Sequence, residues 1–182
     1  MRGMLVPTLM LALGATPLPA QTASPGPSPA KPPAPAMPLP SNLNQLMRGI
    51  FFPASNVVFS AQNDNPADAK PARGQDPSLA TDPLVGTFGG WQAVENAGLA
   101  LTEASGLLLI PGRTCANGVL APTGNPDWLK FVQELRDAGI KAYKAAQTKN
   151  QDAMIEAADT LNAACANCHR KWREKPAADR CK

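Results

Sequence analysis

The sequence predicts an all-α fold, an antiparallel four-helix bundle over residues 41–182. Three observations point to it. Apolar residues recur at steps of three and four in four separate stretches, the period of a helix with one buried face. Aromatic residues make up only 5% of the chain, which argues weakly against a β-sandwich, where aromatic and β-branched residues concentrate. No pair of segments with strand-like alternation competes with the helical pattern. At 182 residues the chain suits one domain with appendages.

Ser41 is a good N-cap for the first helix. Leu43, Leu46, Met47, Ile50, Phe51, Ala54 and Val57 form its apolar stripe. Pro53 is expected to kink or end it near Phe52, because proline removes a donor and crowds the preceding turn. Residues 62–86 lose all periodicity and gain Asn, Asp, Pro and Gly, so they read as a long loop. The second stripe runs through Trp91, Val94, Ala97, Gly98, Leu101, Ser105 and Leu108 and stops at Pro111-Gly112. After a loop over 113–124, Asn125-Pro126-Asp127 combines a capping amide, a proline at the first helical position and an acid in the first turn. Trp128, Val132, Leu135, Gly139, Ala142 and Ala146 continue that third helix. The connection near Lys149-Asn150 is so short that helices three and four must be antiparallel neighbours. Met154, Ala158, Leu161, Cys165, Cys168 and Trp172 make the fourth stripe, which Pro176 is expected to close. Met154 reads as core.

The first forty residues read differently. Met1-Arg2-Gly3 is a short positive start, Met4 to Ala15 is mostly apolar, and Ala20 offers a small residue for cleavage, which is the layout of a signal peptide over 1–20. Residues 21–40 hold eight prolines among Ala, Ser and Gly and read as a Pro-rich linker. The expectation is a periplasmic or otherwise exported protein with no membrane span. The net charge of +3, from 17 basic and 14 acidic residues, is too mild and too scattered for a nucleic-acid binder. Four cysteines in a chain this long are too few for a disulfide scaffold.

One motif carries chemistry. Cys165-Ala166-Asn167-Cys168-His169 is the C-x-x-C-H attachment signature of a c-type haem. Thiols three residues apart lie on one side of a helical turn and can add to two vinyl groups on one porphyrin edge. The following histidine, the only one in the chain, then reaches the iron as proximal ligand. Three other readings compete. A thioredoxin-like pair belongs at a helix start after a strand, whereas this one lies late in a helical pattern. A zinc site would draw on Cys115, Cys165, Cys168, Cys181 or His169, but adjacent Cys168 and His169 do not easily share one tetrahedral ion. A Cys165–Cys168 disulfide is poor as structure.

A C-x-x-C-H on the last helix of an all-α exported chain resembles the cytochrome c′ family, the class II c-type cytochromes. Trp172 and Arg173 stand where that family carries an aromatic and a basic residue after the haem-binding histidine, with Trp in place of the usual Tyr or Phe. Arg48 resembles the arginine of the family's first helix, whereas the long loops at 62–86 and 113–124 depart from its compact members. The resemblance implies one covalent haem c held by thioethers at Cys165 and Cys168, His169 as proximal ligand, and Arg173 near the proximal side; the competing reading of Arg173 is a solvated charge.

The family divides by its distal side. One kind places a Met on the iron and suits electron transfer; the other covers it with a bulky apolar side chain and binds nitric oxide or carbon monoxide. Phe52 lies four beyond Arg48 and matches the apolar kind, so Phe51 or Phe52 is expected over the iron. Met47 is the rival sixth ligand, though a Met on a stripe is more often core filler. Cys115 and Cys181 are left over. Two spare thiols in an oxidising compartment tend to pair, with two free thiols as the alternative. The expected function is one-electron transfer by a monohaem cytochrome. Its partners would be a redox protein, small gases and a second copy of the chain. The alternative is gas binding without an electron-transfer role. No motif for enzymatic turnover is present.

Overall fold

The computed structural model describes residues 38–71, 73–174 and Cys181. The expected leader, all but the last three residues of the Pro-rich linker, and Pro176 lie outside the described residues. The described part is all-α. Its elements are α1 (Leu43–Leu46), a π-helical turn (Met47–Phe51), α2 (Phe52–Asn63), a 3-10 turn (Pro77–Leu79), α3 (Trp91–Ala104) continued by a second 3-10 turn (Ser105–Leu109), α4 (Pro126–Thr148) and α5 (Gln151–Trp172). The only bridge in extended pairing among the described residues joins Thr114 to Leu120. Among the described residues no helix is long and apolar enough to cross a membrane.

The first helix starts one residue later than expected. Asn42, not Ser41, is its N-cap, accepting from the Gln45 N–H while the Gln45 side chain accepts from the Asn42 N–H. This reciprocal pair satisfies two orphan donors at once. Nor does Pro53 end the helix near Phe52. α1, the π turn and α2 follow one another without a gap to Asn63. The Phe52 N–H reaches back five residues to the Met47 carbonyl, so the wider turn absorbs the disturbance and Pro53 falls in the first turn of α2, where a missing N–H costs nothing. The extra residue in the turn also moves the buried stripe. Burial runs Leu43, Leu46, Phe51, Ala54, Val58 and Ala61, with a step of five across the π turn. Met47, Ile50 and Val57 are left half-buried.

The other three helices follow their expected stripes. Trp91, Val94, Ala97, Gly98, Leu101, Ser105 and Leu108 are buried. Asn125 caps α4 through the Asp127 N–H at 2.9 Å, and Asn150 caps α5 through the Ala153 N–H at 2.9 Å. Between them Lys149 turns the chain with φ 53°, a left-handed helix end. α3 packs on α4, α4 on α5, α5 on α2 and α2 on α3. Met154, Ala157, Ala158 and Leu161 of α5 are fully buried at the centre.

Arg113 is buried yet faces no carboxylate among the described residues. It donates from Nε to the Leu107 carbonyl at 3.2 Å, and from Nη1 to the Ser41 carbonyl at 2.7 Å and hydroxyl at 3.1 Å. Ser41 thus holds the 110–121 loop to the start of α1 instead of capping it.

α3 and α4 approach closely where both carry glycine. A Cβ on Gly98 would sit 2.6 Å from the Tyr143 nitrogen, and one on Gly139 2.6 Å from the Thr102 hydroxyl and 2.9 Å from its nitrogen. Backbone cannot yield as a flexible side chain can. Gly98→Val should therefore destabilise the chain by about 2–3 kcal/mol in urea unfolding, while Gly106→Ala, with open space around it, should change little. Equal midpoints for the two variants would contradict the close approach.

Candidate haem cavity

A cavity of about 840 Å³ opens between the first helix on one side and α4 and α5 on the other. The first helix contributes Met47, Arg48, Phe51 and Phe52, and α4 contributes Trp128, Val132 and Leu135. α5 contributes Cys165, Cys168 and His169, with Trp172 and Arg173 following. The structure thus brings the expected haem-site residues to one space; Cys181 lines it too, whereas Cys115 does not.

α5 places the motif by its spacing. No Gly or Pro interrupts 151–172, so the helix runs straight through the motif. Cys165, Cys168 and His169 then share one face at i, i+3 and i+4, directly after buried Leu161 and Ala164. The helix ends just beyond: both Arg173 and Glu174 N–H groups donate to the His169 carbonyl. All three motif side chains are half-buried, and Cys165 and Cys168 are free thiols.

Burial pushes the Cys168 thiol up to about 11, helped by Cys165 and then Glu134, and burial also raises Cys165. Both sulfurs are therefore protonated at neutral pH. Burial lowers His169 below 6.5, Arg173 adds to that shift, and Glu174 opposes it. Its ring makes no hydrogen bond among the described residues, so a neutral nitrogen remains for a ligand. A histidine depressed in the folded chain takes up its proton more readily when unfolded. Its contribution to stability is present above pH 6.5 and is lost as pH falls through the folded value. The haem-free chain should lose thermal stability relative to His169→Gln over that window and hold a constant difference below it. Parallel melting curves at every pH would contradict the shift.

The two phenylalanines part. Phe51 is 5% exposed and packs into the wall, whereas Phe52 is 63% exposed and touches the cavity only at its rim. Met47 lines the same side, half-buried. Arg173 is exposed and ion-paired with Glu174 at 3.5 Å. Arg48 is exposed at the rim as well.

Sequence reasoning passed over the α4 wall. Trp128, on the expected apolar stripe, is 1% exposed, donates from Nε1 to the Leu108 carbonyl at 3.0 Å and meets Trp172 edge-on at 5.8 Å. Phe131, half-buried beside it, also lines the cavity. The signal was present in the sequence, since aromatic residues are scarce and two of them fall within one turn of α4. Lys171 of α5 pairs with Asp127 at the start of α4 and holds the Asp127 carboxyl below its ordinary value.

Cys115 and Cys181 form a disulfide with Cα atoms 5.0 Å apart. The bond closes a loop spanning 66 residues, which in the chain-entropy model stabilises by roughly 4 kcal/mol. With that pair joined, the zinc reading loses two of its ligands. Among the described residues no group of three or more His, Cys, Asp or Glu side chains gathers as a metal cluster.

No family model, curated protein or solved structure matches the chain.

Proposed function

We propose that the chain is an exported monohaem c-type cytochrome, built on the antiparallel four-helix bundle of the cytochrome c′ kind, that passes single electrons to a redox partner protein. One observation supports this above the rest. Both thiols and the imidazole of a C-x-x-C-H motif open on one cavity of about 840 Å³, within the range of about 300–1,000 Å³ typical of ligand sites. The residues fit the group. Apolar walls from Phe51, Trp128, Val132 and Leu135 would exclude water from a flat apolar ring. Cys165 and Cys168 would hold it by two thioethers and His169 would hold its iron. Haem in that place supplies a one-electron iron couple. The chain's own contribution is to orient the group, keep its surroundings dry and offer a neutral imidazole.

A second reading, nitric oxide or carbon monoxide binding without electron transfer, is favoured by Phe51. Its burial in the distal wall, against the half exposure of Met47, supports an apolar cover and an open sixth position.

The test is to export the protein together with haem-attachment machinery and extract it with acid acetone. The pigment should stay with the protein, and Cys168→Ala should lower its yield more than Cys115→Ala. Colour passing wholly into the organic phase would overturn the c-type reading. A low-spin ferric spectrum then favours electron transfer. A high-spin spectrum that shifts with carbon monoxide favours gas binding.

A further inference from the structure

The Cys115–Cys181 disulfide joins the two sides of the cavity. On one side, the Leu43 N–H at the start of α1 donates to the Thr114 carbonyl at 2.7 Å, and Arg113 holds Ser41. Cys115 follows directly, buried within a turn closed by bonds to Val119 and from Gly118. On the other side, the Cys181 N–H donates to the Trp172 carbonyl at 3.1 Å, at the end of α5. Leu43, Trp172 and Cys181 all line the cavity. The path Leu43–Thr114–Cys115–Cys181–Trp172 therefore crosses from the distal helix to the helix that bears Cys165, Cys168 and His169. Its only covalent crossing is the S–S bond. α1 is the end turn of the helix that runs on to Asn63, only four regular residues before the π turn, and helix ends are where local opening is easiest.

We propose that this disulfide is a redox-operated clasp on the cavity. Oxidised, it holds the start of α1 and the 113–115 segment against the end of α5. Reduced by a dithiol, it releases them together and exposes the motif face. The inference rests on the reading of this cavity as the site of the chain's chemistry. The exchange is balanced. A thiolate of the dithiol attacks the Cys181 sulfur, which is half-buried whereas Cys115 is 1% exposed. The Cys115–Cys181 bond breaks, a mixed disulfide forms, and the Cys115 thiolate leaves and takes a proton. The second thiol of the dithiol then closes its own disulfide and releases Cys181 as a thiol. Two electrons pass from the dithiol to the cystine.

The test measures iodoacetamide alkylation of Cys165 and Cys168, resolved by peptide, on the full chain without haem. The Cys115→Ser/Cys181→Ser variant should react about tenfold faster than the unsubstituted chain under conditions where both are folded. Dithiothreitol should raise the rate of the unsubstituted chain to the same level, and reoxidation should restore it. Val94→Ala is the control. Val94 lies in α3, fully buried and away from the cavity, so its loss weakens the whole fold without touching the clasp, and its rates should stay near the unsubstituted ones. An equal rise in the control and the double variant, or no rise in the double variant, overturns the proposal. The readout needs no pigment. A clasp effect in a chain that never retains haem would sink only the haem reading; a chain that retains haem without a clasp effect would sink only the clasp.

Discussion

If the chain carries haem as proposed, His169→Ala should abolish its iron coordination: the substituted protein should keep its helices but lose the visible and magnetic spectra of the parent. No other imidazole exists in the chain, and the one present stands on the cavity, half-buried and held neutral by burial and by Arg173. On the proposed reading the two cysteines before it would be taken up by the porphyrin edge, so no nearby group could take its place on the same face. The haem-free fold should hardly notice, because a half-buried side chain without a hydrogen bond contributes little, within about 0.5 kcal/mol. Met47→Ala supplies the contrast. Phe51 is more deeply buried in the cavity wall than Met47, so on the gas-binding reading loss of the thioether should leave the spin state unchanged. Parent spectra in His169→Ala would move the iron to another ligand. A shift from low to high spin in Met47→Ala would make Met47 an iron ligand and count against the gas-binding reading.

Trp128→Ala has the largest effect on the fold. The ring is 1% exposed, and its removal from a packed interior costs about 3–5 kcal/mol. The Leu108 carbonyl, 3.0 Å from Nε1, loses its donor, and the edge-on contact with Trp172 is lost too. The indole also bounds the cavity, so the space left behind joins an existing void, which keeps the total near the middle of that range. The expected loss is about 4 kcal/mol, or roughly 10 °C in melting temperature for a chain of this size. Trp128→Phe keeps most of the packing and gives up only the donor, at about 1 kcal/mol. Thermal and urea unfolding of the two variants separate packing from hydrogen bonding; equal losses would show that the hydrogen bond, not the ring, holds this corner.

Much of the architecture is written in local chemistry that a reader can follow. Asn125 with Pro126 and Asp127 marks a helix start because each residue satisfies or tolerates an orphan N–H, and the chain begins α4 there. The stripes through α3, α4 and α5 hold because nothing inside them disturbs the 3.6-residue period. Cys165, Cys168 and His169 were legible as a unit for the same reason: their spacing alone places them on one face. The first helix was not. Two adjacent polar residues, Ser41 and Asn42, compete for its cap, and the choice falls to Arg113, 72 positions away, which claims the Ser41 oxygens. The same limit hid the cavity's far wall. Trp128 and Phe131 show helical spacing, but that they line the same cavity as Cys168 depends on how α4 sits against α5.

The π turn at Met47–Phe51 sets the phase of everything before it. A regular helix advances about 100° per residue, and one residue more or fewer in that turn would rotate Leu43 and Leu46 by that amount and carry both out of the interior. Gly49, with nothing within 4 Å of where its Cβ would stand, occupies the turn without being needed to fill or clear space. An ungapped comparison of this helix with a straight one would therefore be correct on one side of residue 49 and displaced by one on the other. It would set Ile50 or Phe52 against a position that the fold gives to Phe51. Any chain aligned to this one has to be placed with that offset before its counterpart of Phe51 can be read.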